Sequence, residues 1–227
     1  MNMLFVSIKK RTIILALIVI LSFSAFLSLP AIVANARNFR YTVVIDAGHG
    51  GYDGGSVSPF SNIDENHLNL EYALTLKDIL EDIGIKVVLT RKNLNGLYSL
   101  FADNRKKDDM EKRIEIIENS GADMVVSIHM NSFPLRSSRG AQVFYKENDP
   151  ASQNLATNIQ NVFYQNLPYG RSFPKTGDYY ILNESSIPSV IIECGFLTNQ
   201  EEEQLLIDNA YMAKVCMNIA YGIVLSL

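Results

Sequence analysis

The chain has 227 residues, 48% of them hydrophobic, and a formal net charge of −4. Setting aside the first 36 residues, whose only charges are Lys9, Lys10 and Arg11, leaves 191 residues at −7, enough for one domain with a well-buried core. So acidic a body argues against electrostatic binding to nucleic acid or to anionic wall polymers, and two cysteines, Cys194 and Cys216, make no disulfide framework and read as small buried hydrophobes.

Lys9, Lys10 and Arg11 precede an uncharged stretch from Thr12 to Ala36 that closes on Ala34-Asn35-Ala36. A positive start, an apolar run and a small-x-small step make a secretory signal peptide. The run is also close to the ~20 residues that span a bilayer, so an uncleaved membrane anchor is the alternative. Residues 1–36 are therefore expected to be signal or anchor, and residues 37–227 the single folded domain. The body is expected to be extracytoplasmic in either case, because the positive charges stay inside.

Strand-like and helical runs then alternate. Tyr41 to Asp46 reads as a buried strand. Asn66 to Ile83 reads as a helix, with Leu68, Tyr72, Leu76, Ile79, Leu80 and Ile83 at three- and four-residue spacing and Gly84 at its end. Ile85 to Thr90 is a strand, residues 92–108 an irregular polar loop, and Asp109 to Asn119 a helix with Met110, Ile114 and Ile117 on one face. Met124 to Ile128 and Ala141 to Tyr145 are strands, Ala151 to Gln165 is a helix, and residues 166–178 are a second irregular stretch. Ser189 to Glu193 is a strand, and Glu201 to Leu225 two helices parted near Asp208. The pattern predicts an α/β single domain: a twisted, mostly parallel central sheet with helices on both faces. In such sheets the active site gathers outside the carboxyl ends of the strands.

Three residues with chemistry to offer stand at such ends. His49 leaves an apolar run in the glycine-rich turn Ala47-Gly48-His49-Gly50-Gly51, His129 follows Met124-Val125-Val126-Ser127-Ile128, and Glu193 follows Ser189-Val190-Ile191-Ile192. Glu65 opens the helix directly after the His49 loop. Two imidazoles and a carboxylate make a three-ligand set for one catalytic zinc ion, with a fourth position left for water. Glu193, in a dry setting, is a candidate proton shuttle. Asp46 and Asp64 compete with Glu65 for the metal. His67, two residues from Glu65 on a helix, points to a different face and is expected at the surface. Ser127 and Asn131 could anchor the second ring nitrogen of His129 or a substrate amide.

Two imitations drop out. The glycine-rich turn is no dinucleotide loop, since Asp53 stands where glycine is required, and no phosphate loop, since no Gly-Lys-Ser/Thr follows. Ser172-Phe173-Pro174-Lys175 and Lys175-Thr176-Gly177 imitate penicillin-binding enzymes, but they share one lysine where that chemistry needs two. Pro174 also keeps Ser172 and Lys175 off a regular helical turn.

Ile45-Asp46-Ala47-Gly48-His49-Gly50-Gly51, Glu65 with Leu68-Asn69-Leu70, Leu89-Thr90-Arg91, Ser127-Ile128-His129-Met130-Asn131-Ser132 and Ile192-Glu193-Cys194-Gly195-Phe196-Leu197-Thr198-Asn199 together resemble the zinc-dependent N-acetylmuramoyl-L-alanine amidases of the amidase-3 family. Ala47, where the family usually has proline, and Cys194 depart from its pattern without touching a ligand. The resemblance implies zinc on His49, Glu65 and His129, Glu193 as catalytic acid/base, and Arg91 and Asn131 as substrate contacts. It implies cleavage of the amide between the lactyl group of N-acetylmuramic acid and the first alanine of the stem peptide. A narrower likeness, which includes Asn104 to Asp109 and Arg113, is to sporulation amidases that strip peptides from spore-cortex glycan so that muramic lactam can form. That implies action between the forespore membranes, on a glycan strand with stem peptides, with a separate activating or targeting protein. Two further readings share these residues: a non-catalytic wall-binding module on a degenerate amidase fold, and a zinc peptidase or deacetylase.

Overall fold

The computed structural model describes residues 40–227; the expected signal or anchor lies outside the described residues. The elements run β1 (Thr42–Ala47), α1 (Glu65–Asp82), β2 (Lys86–Leu89), α2 (Arg105–Glu118), β3 (Met124–Asn131), β4 (Gln142–Tyr145), α3 (Pro150–Asn166), β5 (Lys175–Thr176), α4 (Tyr180–Glu184), β6 (Ser189–Phe196), α5 (Gln200–Leu206) and α6 (Asn209–Val224). The described strands form one six-stranded sheet in the order β2-β1-β3-β6-β4-β5. Only the β4–β6 pairing is antiparallel.

The pleat divides each apolar strand between two cores. Val43, Ile45, Val126, Ile128 and Ile192 point to the side covered by α1, α3 and α6, where Leu68, Tyr72, Leu76, Ile159, Phe163 and Ile219 meet them. Val44, Val125 and Ile191 point to the other side, against Met110, Ile114 and Ile117 of α2 and Ile181 and Leu182 of α4. Strands apolar on both faces with helices on each side give the α/β layering read from the sequence. Cys194 and Cys216 are both free thiols within the core.

Four details correct that reading. The second helix starts at Arg105 rather than Asp109, because the Asn104 side chain accepts from the Lys107 N–H and caps a polar first turn. Residues 166–178 are not wholly irregular, since Lys175–Thr176 pairs in parallel with β4. The short helix α4 went unread. Finally, β3 and β6 run on past His129 and Glu193 to Asn131 and Phe196, so both functional candidates sit inside strands, directly in register with each other. The ladder shifts register between His129 and Asn131.

Candidate active site

His49 leaves β1 with φ +61°, a conformation that a residue with a Cβ rarely adopts. Its backbone is held from both sides: Gly48 N–H donates to Ile128 O at 3.0 Å, and Arg113 Nη2 donates to His49 O at 2.6 Å. Gly48 has a steric reason to be glycine. A Cβ there would lie 2.2 Å from Cε1 and Nε2 of His129, so the imidazole occupies the place of the missing side chain.

Glu65 is the first residue of α1 and is buried. Its Oε1 lies 3.2 Å from His49 Nε2 and 3.1 Å from His129 Nδ1. The same oxygen accepts from Met130 N and Asn69 Nδ2, each at 3.2 Å, while Oε2 accepts from Ser56 N at 2.9 Å. The two rings meet edge to face with centroids 5.0 Å apart. One donor atom from each of His49, Glu65 and His129 lies within 4.8 Å of the others, a set that could hold a metal ion. His49 Nδ1 faces Asp53 Oδ1 at 3.0 Å. In the neutral ring that bond would keep the proton on Nδ1 and leave Nε2, which faces Glu65, as the atom able to hold a metal. Asp53 was missed as a partner; its signal was a carboxylate four residues after the histidine.

The electrostatics suit a cation. Burial opposes the charged form of His49, but the hydrogen bond and charge of Glu65, then Asp53, outweigh it and push the imidazole up to about 9. Burial likewise opposes the charged form of Glu65, yet hydrogen bonds from His129 and His49 hold its carboxyl far below the ordinary range. A buried, ionised carboxylate between two imidazoles, which ligate as neutral rings once a metal displaces their protons, is the donor chemistry of a zinc site.

Glu193 stands beside this cluster, one strand over from His129. Its Oε2 is buried with no hydrogen-bond partner. Burial pushes the carboxyl up to about 7, against the pull of the His129 charge. An unpartnered carboxyl that titrates near neutrality is costly as structure and suited to proton transfer.

Beneath the cluster runs a buried network that the sequence did not disclose. Asp46 Oδ1 accepts from Thr90 Oγ1 and Arg113 Nη1, and Oδ2 from Ser127 Oγ, all at 2.6 Å. Arg113 also donates from Nε to Asp109 Oδ2 at 2.7 Å and from Nη1 to Ala47 O at 2.8 Å. Burial raises the Asp46 carboxyl, but Arg113, Ser127 and Thr90 outweigh it and hold it at about 2. Asp46 is thus committed to Arg113 and is no rival metal ligand. Ser127 serves Asp46 and not the His129 ring, contrary to expectation. Asp64 stands at the N-cap position of α1, with no side-chain capping bond, outside the cluster, and His67 is exposed, as its helical position required.

Arg91 requires a correction. It is 3% exposed, and its guanidinium donates to the carbonyls of Ala47, Gly48, Asn66 and Asn93 at 2.8–2.9 Å. It braces the His49 turn and is not among the residues that line the cleft. Asn131 does line the cleft, a cavity of about 370 Å³ whose wall also carries Tyr52, Lys106, Ser132, Tyr179 and Tyr180.

Comparison with known proteins identifies the family. The family model described as N-acetylmuramoyl-L-alanine amidase matches residues 43–224. The germination-specific N-acetylmuramoyl-L-alanine amidase of Bacillus subtilis (strain 168) is 33% identical over 185 residues, 80% of this chain and 77% of that protein. The CwlD amidase from Clostridioides difficile, solved in complex with the GerS lipoprotein, superposes with a TM-score of 0.78 at 35% identity, covering 82% of this chain and 98% of that one. The catalytic domain of CwlV from Bacillus (Paenibacillus) polymyxa var. colistinus gives a TM-score of 0.72 at 31% identity, covering 81% and 96%.

Proposed function

Since the chain belongs to the N-acetylmuramoyl-L-alanine amidase family, we propose that it hydrolyses the amide between the muramic acid lactyl group and the first alanine of the stem peptide, with one zinc ion on His49, Glu65 and His129. The observation that carries this reading is the gathering of those three donor atoms beside the unpartnered Glu193 carboxyl. The donor set fits zinc, which when bound supplies a Lewis acid for the amide carbonyl and acidifies water at neutral pH.

The protein's own residues do the remainder. Asp53 orients the His49 ring, and the Ser56, Asn69 and Met130 donors orient Glu65. Glu193 accepts the proton of the attacking water and returns it to the departing alanine nitrogen. Both transfers require a carboxyl whose two protonation states are close in energy, and its dry setting supports that role. Asn131, on the cleft wall, is the remaining substrate contact from the sequence reading.

The likeness to the germination-specific enzyme supports spore-cortex peptidoglycan as the biological substrate, with muramic lactam formation as the consequence. Residues 1–36 then carry the enzyme out of the cytoplasm as signal or anchor, ahead of a catalytic domain over residues 37–227. The lipoprotein bound to the Clostridioides difficile relative supports a separate activating or targeting protein here. The test is a digest of cortex peptidoglycan with the zinc-loaded chain, followed by mass spectrometry. Released stem peptides with a free amino-terminal alanine are expected, and chelation should abolish them. Fragments cut within the peptide would make the chain a peptidase, and binding without cleavage a wall-binding module.

A further inference from the structure

Three basic residues open α2, and one of them lines the cleft. Arg105 lies over the Tyr98 ring, 5.7 Å from its centroid. Lys107 pairs with Glu111 at 3.6 Å, and Lys112, further along, pairs with Asp108 at 2.9 Å. Lys106 is exposed, lies on the cleft wall and forms no salt bridge among the described residues. Its charge is felt by Asp53, whose carboxylate is already taken by the His49 ring and the Gly55 N–H. The other cation of the wall, Arg113, is buried and engaged by Asp46, Asp109 and backbone carbonyls.

The two ends of the cleft therefore differ. Lys106 belongs to the side of β1 and Asp53. Tyr179 belongs to the side of β4, with its ring 5.5 Å from that of Phe144, and Tyr180 follows it. The strand order places β1 and β4 on opposite sides of His129 and Glu193. A substrate lying across the site meets an ammonium beside the Tyr52 phenol at one end, and the Tyr179 and Tyr180 phenols without a Lys or Arg at the other. The proposed substrate is asymmetric in the same sense. On the glycan side of the scissile amide the lactyl carboxyl is consumed in the bond and the sugars are neutral. On the peptide side the stem carries free carboxylates.

We propose that Lys106 forms a carboxylate subsite for the stem peptide, on the leaving-group side of the scissile amide, an assignment that rests on the amidase reading above. An ammonium on a flexible stem is a point charge that can follow a mobile carboxylate without demanding the geometry of a guanidinium. Its exposure keeps the gain modest, because water screens the pair.

The test uses the zinc-loaded chain and two peptidoglycan fragments that differ only in whether the stem-peptide carboxyls are free or amidated. The unaltered protein should prefer the free-carboxylate fragment by about fivefold in kcat/KM, expressed in KM rather than kcat. Lys106→Gln should abolish that preference, and Lys106→Arg should retain most of it. A preference that survives Lys106→Gln, or no preference in the unaltered protein, overturns the subsite while leaving the amidase reading intact. A chain that cleaves neither fragment overturns both.

Discussion

His129 and Glu193 are register partners on adjacent parallel strands, β3 and β6. One offers a ring nitrogen to the Glu65 cluster, and the other holds a buried, unpartnered carboxyl oxygen. Parallel pairing fixes their separation by the sheet itself, so the proposed metal ligand and the proposed proton carrier are spaced by backbone hydrogen bonds and not by a loop.

Glu193→Gln keeps the shape of the side chain and removes its proton chemistry. The variant should bind zinc as the unaltered chain does and lose at least about 100-fold in kcat. Metal analysis alongside single-turnover digestion checks both halves. A variant with normal turnover would remove Glu193 from the mechanism.

The same residue sets a pH dependence of the metal-free fold. Its carboxyl is raised by burial from the ordinary 4.5 to about 7. Below pH 4.5 it is neutral in both folded and unfolded chains. As pH rises from 4.5 to 7 the unfolded chain ionises first, so folded stability falls by about 3 kcal/mol across that window. Urea unfolding of the metal-free protein at pH 5 and pH 8 should show most of this loss, and Glu193→Gln should reduce it, leaving the part above pH 6.5 that comes from His49, whose imidazole is pushed up to about 9.

Asp46 and Arg113 form a buried pair with every neighbour engaged, so removing one partner leaves an uncompensated charge. Asp46→Asn or Arg113→Met should destabilise the fold by about 3–5 kcal/mol, read as a drop in denaturation midpoint. With Asp46 held at about 2, its contribution is complete above pH 4 and is lost as pH falls toward 2. Acid unfolding should therefore begin at higher pH in the Asp46→Asn protein, whose fold starts with less stability.

Gly48→Ala places a methyl group where the His129 ring lies, 2.2 Å from two of its atoms. The ring must move, so zinc affinity should fall by at least about tenfold. Competition with a chromophoric chelator measures that loss. Unchanged affinity would mean that the ring position is not what holds the site.

Much of this was legible from periodicity and chemistry. Leu68, Tyr72, Leu76 and Leu80 all lie in the core, as helical spacing demanded, while Ile83, past the last turn, is exposed. The four candidate residues meet at one end of the sheet, although β3 and β6 run on past His129 and Glu193 and Glu65 comes from a helix start. What was hidden depended on burial of charge. Arg91 and Arg113 look like surface residues in a sequence, yet their guanidinium groups satisfy the Ala47, Gly48 and His49 carbonyls of the turn, with Asn69 as a further donor to Gly48. The visible hint was Asp46 within an apolar strand, since a carboxylate there requires a buried cation. The start of α2 was obscured by its first turn, Arg105-Lys106-Lys107-Asp108, which carries no apolar signal and rests on a single asparagine cap.

Zinc content tests the central claim most directly. The purified chain should hold about one zinc per molecule, and His49→Ala, Glu65→Ala and His129→Ala should each abolish stoichiometric binding while circular dichroism remains that of the folded α/β domain. Any one of these three variants that folds and still binds zinc as the unaltered chain does would contradict it.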